Sequence, residues 1–380
     1  MKIHYGKQWI SDDDIERVTE VLKSDFLTTG PVVQEFEREF AKYVDAKYAV
    51  AVANGTAALH LSAKAIGVEG GSEVITSPMS FAATSNCILY NSGTPVFSDI
   101  THRGLIDPEY IEKKVNQNTT GIIPVHYMGL PCELDEINRI ANEHNLFVIE
   151  DACHAIGAKY RSSSIGSCKY SDLAAFSFHP VKHITTGEGG IITTNNEELY
   201  ELLKLLRTHG ITRNESEFLT NHSEPWYQEM HHLGFNYRLT DIQAALGLSQ
   251  LSRINEFFAR RREIAKAYFD FFEDFEAHVE IITEREYEVN SYHLFVIKLK
   301  GINKRRELFD YLWNKGIHCQ VHYIPIYWHP YYRKIGYEKE RLPKTESFYE
   351  QIISLPMYPA LTNAELEFVF SSITNFFKSK

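Results

Sequence analysis

Residues 48–67 read YAVAVANGTAALHLSAKAIG: a short apolar run, an Asn-Gly-Thr turn, then apolar and polar positions at helical spacing. A continuous apolar run of this length suits a strand buried on both faces, and the segment behind it suits a helix laid against the sheet. The same pairing recurs downstream as EVITSP (73–78) with FAATSNCILY (81–90), GIIPVHY (121–127) with ELDEINRIANEHN (133–145), and finally LFVIED (146–151). Strand and helix in alternation predict an α/β fold with a mostly parallel sheet covered by helices. Sites in such sheets lie beyond the carboxyl ends of the strands, so the loops after these runs are where chemistry is expected.

Toward the N-terminus, Ser11 and three aspartates precede Ile15, Val18, Val21 and Leu22, a capped helix start. Toward the C-terminus the pattern changes after about residue 236 to one long helical stretch, 241–272, and the chain closes on AELEFVFSSITNFF (364–377). At 380 residues the chain exceeds what one core organises. The expectation is a large domain of residues 1–236, including the N-terminal segment, and a smaller C-terminal α/β domain of residues 237–380.

Composition narrows the partners. With 44% hydrophobic and 23% charged residues the chain reads as an ordinary globular protein, and its net charge of −11 offers no basic face to nucleic acid or anionic lipid. The N-terminal MKIHYGKQWISDDD lacks an apolar core, and no apolar run approaches the roughly 18 residues of a membrane span. A cytoplasmic protein with no membrane or nucleic-acid partner is expected. Five cysteines without a C-x-x-C pair argue against a disulfide framework or zinc, and His222, His231 and His232 lack ligand spacing, so no metal is expected. Cys153 reads as an inert small hydrophobe, and Arg260, Arg261 and Arg262, with Glu256 and Glu263 nearby, read as a solvated helix face.

The densest signal is FSFHPVKHITTGEGG (176–190), which carries Lys182 between the strand-like DLAAFSF (172–178) and GIITT (190–194). A lysine amine attacks aldehydes once its surroundings disfavour the ammonium form. A solvated loop lysine is the commoner fate, so neighbours must decide. Asp151 ends the VIE run, where a carboxylate can keep a pyridinium nitrogen protonated. Asn54-Gly55-Thr56-Ala57 lies between a strand and a helix, where free backbone N–H groups favour a phosphate. Each alone is weak; in this order they make a coherent pyridoxal-phosphate site.

FLTTGPVVQEFE, VANGTAALHL, SPMSFAATSN, VIEDACHAIGAKY, FSFHPVKHITTGEGG, LGFNYRLTDIQAALGLSQL and QVHYIPIY together give the chain its resemblance, over nearly its whole length, to the sugar aminotransferases of the DegT/DnrJ/EryC1 family. The resemblance implies the aspartate-aminotransferase fold (PLP fold type I) and pyridoxal 5′-phosphate as cofactor. It makes Lys182 the Schiff-base lysine and proton-moving base, and Asp151 the partner of the ring nitrogen. Ser177 with Gly55, Thr56 and Ala57 would hold the phosphate, while Phe81 and His154 would lie against the ring faces. Many members have glutamine where His154 stands. Asn236 would reach the neighbouring subunit's cofactor, which implies a homodimer with shared active sites. Tyr5, Asp25, Phe26, Leu27, Thr28, Gln320, Val321, His322 and Tyr323 match segments lining the nucleotide-sugar pocket.

The implied reaction moves an amino group from L-glutamate to the 4-keto carbon of a nucleotide-linked 6-deoxysugar. FSFHPVKHITTGEGG, NYRLTDIQAALGLSQL and QVHYIPIY point within the family to pseudaminic acid biosynthesis, with a UDP-linked 2-acetamido-2,6-dideoxy-4-hexulose as substrate and UDP-4-amino-4,6-dideoxy-N-acetyl-β-L-altrosamine as product. The competing sugars are those leading to UDP-bacillosamine and GDP-perosamine. A pyridoxamine-dependent dehydratase of the same family would carry histidine where Lys182 stands. A cofactor-binding regulatory protein would have no use for both Lys182 and Asp151.

Overall fold

Seven strands form the central sheet of the computed structural model, which describes residues 2–222, 224–301 and 304–378. In chain order they are β1 (Tyr48–Val52), β2 (Glu73–Thr76), β3 (Thr94–Phe97), β4 (Thr119–Ile123), β5 (Phe147–Asp151), β6 (Leu173–Ser177) and β7 (Gly190–Thr194). Their order across the sheet is β1-β7-β6-β5-β4-β2-β3. The β2, β3, β4, β5 and β6 neighbours pair in parallel, whereas β7 runs antiparallel to both β1 and β6.

The continuous apolar runs have a direct structural cause. Side chains alternate across a strand, and here both faces are covered. Ala49 and Ala51 of β1 enter one core while Val50 and Val52 enter another; Phe176 and Ala175 of β6 divide in the same way. Helices α1 (Asp12–Leu22), α2 (Pro31–Val44), α3 (Gly55–Ala65), α4 (Ala83–Tyr90), α5 (Leu134–His144) and α6 (Glu197–Arg207) supply the facing layers. Phe36, Phe40, Ile137 and Ile140 cover one face, and Leu59, Leu61, Leu203 and Leu206 the other. The α/β class expected from the sequence is the observed one.

Capping fixes where the helices begin. Ser11 and Asp14 close a capping box on α1, as the sequence indicated. The start of α2 has no side-chain cap of its own; Asp241, the first residue of α7 (Asp241–Ser252), instead accepts from the amides of Gly30 at 2.7 Å, Val32 at 2.9 Å and Val33 at 3.3 Å. Helix α7 thus packs on α1 and α2, and the first core runs on through Leu251, Ile254 and Phe257, past residue 236.

A further body is built on the three-stranded antiparallel sheet β8 (Val279–Ile281), β9 (Phe295–Leu299) and β10 (Ile352–Leu355), in the order β8-β9-β10. Helices α8 (Ile254–Phe272), α9 (Lys304–Asn314) and α10 (Asn363–Lys378) bury Tyr268, Leu308, Leu312, Val369 and Ile373 against it. The short strand Ile3–His4 pairs in parallel with Ile317–His318, and Ile3 sits in this second core. The start of the chain is therefore tied to its C-terminal part.

The arginine run on α8 departs from the expected solvated face. Arg260 does pair with Glu263 at 3.0 Å, but Arg261 is fully buried, with Nη1 donating to the carbonyls of Tyr292, His293 and Met357. Consecutive helical residues lie about 100° apart, and Arg261 takes the inward-facing position between its two neighbours. His222 and His231 are bonded to Glu224 and Glu229, and among the described residues no group of side chains could hold a metal. Among them, too, no helix is long and apolar enough to cross a membrane.

Candidate active site

The carboxyl ends of β1, β2, β4, β5 and β6, together with the loop entering β7, open onto one cleft of about 600 Å³. Its floor comes from the large sheet. Its outer wall comes from Tyr5 and from Gln320, His322 and Tyr323.

At one end Asn54 caps α3, its Oδ1 accepting the Ala57 amide at 2.8 Å. Gly55 and Thr56, at the start of the helix, line the cleft beside Ser177. Two glycines make this convergence possible. A Cβ on Gly55 would stand 2.8 Å from Ser177 Cβ, and one on Gly190 would stand 2.5 Å from the Asn54 carbonyl oxygen. Ser177 Oγ accepts from the His179 amide at 3.3 Å, which leaves its own proton to donate. A helix N-terminus, a hydroxyl and bare backbone form a cradle for a phosphate.

Asp151, at the end of β5, is only 5% exposed. Its Oδ1 accepts from the Cys153 amide at 3.2 Å and its Oδ2 from Thr84 Oγ1 at 2.6 Å. Buried carboxylates require such donors. Lys182 stands on the loop between β6 and β7, which is held by Phe178 N–H to the Gly189 carbonyl at 2.8 Å and by the Lys182 amide to the His179 carbonyl at 2.8 Å. Burial pushes the Lys182 amine below the usual lysine range, although Cys153 and Asp151 act in the opposite sense. The free amine is the form that attacks an aldehyde.

His154 lies buried in the wall of the cleft with Nε2 3.1 Å from the Tyr323 hydroxyl, and its Nδ1 has no partner among the described residues. Its ring lies 4.2 Å from that of His293, which in turn is 5.6 Å from His183. Burial above all, with Lys182 close by, holds His154 well below the usual histidine range and brings His322 down to about 3. His183 and His293 are lowered in the same way, by burial first. Burial thus favours the neutral form of all four imidazoles.

Of the residues singled out from the sequence, Tyr5, Gly55, Thr56, Phe81, Asp151, His154, Ser177, Lys182, Gln320, His322 and Tyr323 meet in this one cleft. Ala57 does not line it: its amide is spent on Asn54. Val321 turns away to pack on the first core, as the alternation of an extended segment requires. Asp25, Phe26, Leu27 and Thr28 lie exposed outside it, as does Asn236, which bridges Thr208. Ser80, Thr84, Cys153, His179 and Glu188 line the cleft without having been singled out as site residues. Ser80 and Thr84 fall in SPMSFAATSN, a strand-to-helix loop of the same kind as that holding Asn54, and that position was their signal. No arginine lines the cleft among the described residues.

A cradle that a Cβ would fill, a buried carboxylate and an amine whose burial disfavours its ammonium form fit pyridoxal phosphate.

Comparison with known proteins agrees with this geometry. The profile of the DegT/DnrJ/EryC1/StrS aminotransferase family matches residues 8–374. The spore coat polysaccharide biosynthesis protein SpsC of Bacillus subtilis is 39% identical, over 98% of this chain and 97% of its own. A UDP-4-amino-4,6-dideoxy-N-acetyl-β-L-altrosamine transaminase of Campylobacter jejuni is 37% identical, over 96% of this chain and 95% of its own. Among solved structures, Helicobacter pylori PseC, an aminotransferase involved in the biosynthesis of pseudoaminic acid, superposes with a TM-score of 0.94 at 31% identity, covering 100% of both chains.

Proposed function

From the premise that the chain belongs to the DegT/DnrJ/EryC1/StrS family of pyridoxal-phosphate-dependent sugar aminotransferases, we propose that it aminates C4 of a UDP-linked 2-acetamido-2,6-dideoxy-4-hexulose, with L-glutamate as donor. The product is UDP-4-amino-4,6-dideoxy-N-acetyl-β-L-altrosamine. The observation that carries the chemistry is the shared cleft of Lys182, a burial-depressed amine, and Asp151, a buried carboxylate. The substrate rests on the likeness to the Campylobacter and Helicobacter proteins.

Pyridoxal phosphate supplies, when bound, an electron-withdrawing ring that takes up the electron pair freed at the donor's Cα. The chain's residues divide the remaining work. Gly55, Thr56 and Ser177 bind the phosphate. Lys182 holds the cofactor through Nζ and, once released, takes the proton from the donor's Cα. Asp151 holds a proton on the ring nitrogen. Phe81 and His154 would flank the ring, and an imidazole that burial holds toward its neutral form would leave the balance set by Asp151 undisturbed.

The outer wall receives the sugar. The cleft lining contains no arginine among the described residues, so the carboxylates of glutamate find no guanidinium clamp in it. Tyr5, Gln320, His322 and Tyr323 offer neutral hydroxyl, amide and imidazole groups instead, which suit the hydroxyl and acetamido groups of a sugar. Asn236 and the segment of Asp25, Phe26, Leu27 and Thr28 serve the partner's cleft in a homodimer. In support, both are exposed, and Phe26 and Leu27 present apolar side chains at 54% and 47% exposure.

The test is to generate 4-keto sugars with C5-inverting and C5-retaining dehydratases, add glutamate and enzyme, and compare kcat/KM. The C5-inverted UDP-sugar should be preferred by tenfold or more, roughly the effect of one hydrogen bond made or left unmade. Faster amination of the C5-retained or the GDP-linked sugar would overturn the substrate while leaving the transaminase in place.

A further inference from the structure

Two hydroxyls of the cleft have no part in the assignments above, and both converge on Asp151. Thr84, 1% exposed in the first turn of α4, lies 2.6 Å from Asp151 Oδ2, and Ser80, 5% exposed, lies 2.7 Å from Thr84 Oγ1. Thr84 Oγ1 is also 3.2 Å from the Phe81 carbonyl. A threonine has one hydroxyl proton, and an ionised carboxylate only accepts. The proton of Thr84 therefore goes to Asp151, the Phe81 carbonyl goes without it, and the Thr84 oxygen is left to accept from Ser80.

We propose that Ser80 and Thr84 form a one-way hydrogen-bond chain, Ser80 to Thr84 to Asp151, that fixes the orientation of the Asp151 carboxylate toward the cofactor's ring nitrogen. The proposal rests on the assignment of Asp151 made above. Thr84 is a positioning residue. It occupies Oδ2 from one side while the Cys153 amide occupies Oδ1 at 3.2 Å, so the carboxylate cannot rotate without breaking a short contact to a charged acceptor. The chain also joins elements that do not touch in the sheet. Ser80 and Thr84 follow β2, Asp151 ends β5, and β4 lies between those two strands.

The measurement is a double-mutant cycle on the full-length protein, stripped of cofactor and titrated with pyridoxal phosphate by fluorescence quenching. Thermal unfolding of the cofactor-free variants runs beside it. Thr84→Val keeps the β-branch and the volume but removes the proton, and should weaken cofactor binding about tenfold, the effect of one hydrogen bond to a charged group. Thr84→Ser should restore it, and Ser80→Ala should cost about threefold. In an Asp151→Asn background Thr84→Val should have little further effect, because the residue acts only through the carboxylate. Equal losses in both backgrounds, or failure of Thr84→Ser to restore binding, would overturn the chain. Should Thr84→Val not fold, the same cycle with Ser80→Ala decides. If Asp151→Asn alone binds pyridoxal phosphate like the unaltered protein, it is the role of Asp151 that falls.

Discussion

Lys182 is the residue on which turnover depends most directly. Lys182→Ala removes both the amine that holds the cofactor and the base that moves the proton at the donor's Cα, and no other lysine lines the cleft among the described residues. Glutamate-dependent amination should fall by at least about a thousandfold, on the scale of a lost general base. Amino-sugar formation read by chromatography checks this, and residual turnover within tenfold of the unaltered protein would move the role elsewhere. Lys182, Asp151 and Gly55 were legible in the sequence because each terminates or follows an apolar run, and a run's end in a parallel sheet is a place facing the ligand, whereas Ser177 came from the family resemblance. The bond from Thr84 to Asp151 was not legible, since Thr84 lies on the helix after β2 and Asp151 ends β5, and neither was the contact of Tyr323 with His154. Which strands neighbour each other is a property of the sheet order. The burial of Arg261 was hidden by its charged neighbours, because its carbonyl partners Tyr292, His293 and Met357 lie far along the chain.

At the scale of elements, Asp241 joins two helices that lie far apart in the chain. Fully buried, it gives α2 the cap that Gly30 cannot supply, and it does so at the positive end of the helix. Asp241→Ala should cost about 2–4 kcal/mol, since it leaves three helix-start amides without their acceptor. Chemical denaturation of the cofactor-free protein measures it, and a change below about 0.5 kcal/mol would mean that water replaces the carboxylate. The helices and strands themselves were legible from their apolar periods, and α1 from its capping box. The allegiance of α7 was not. Periodicity tells which face of a helix is buried but not against what, and so the expected break after residue 236 fell ahead of a helix that packs on α1 and α2. The pairing of Ile3–His4 with Ile317–His318 was equally invisible, being two residues long and spanning almost the whole chain.

For the molecule as a whole, four buried histidines contribute to how it responds to acid. His154, His183, His293 and His322 are all held below the ordinary histidine value of about 6.5. Between that value and the folded one, about 3 for His322, the unfolded chain binds protons that the folded chain does not. Stability therefore falls as pH falls, by about 1.4 kcal/mol per pH unit for each such histidine. A Tm that drops steadily from pH 7 to pH 5 is expected, and a flat profile over that range would show the imidazoles protonating in place. Assembly is open to an equally direct measurement. Mixed Asn236→Ala and Lys182→Ala subunits, each inactive alone, should regain up to about a quarter of normal activity through hybrid dimers with one intact site. No recovery despite verified subunit exchange would return Asn236 to its own subunit or to none. The two walls of the cleft also differ in what they can tolerate. The floor is interlocked, with Gly55 against Ser177, Gly190 against Asn54 and Asp151 bonded to Thr84, so that almost any replacement disturbs several strands at once. The outer wall is two lengths of chain outside the central sheet, around Tyr5 and residues 320–323, with His322 Nδ1 2.8 Å from Ser354 Oγ and the Tyr323 hydroxyl 3.1 Å from His154 Nε2. A designer wishing to retarget the enzyme should therefore randomise the side chains that face the cleft from the wall and leave the floor alone.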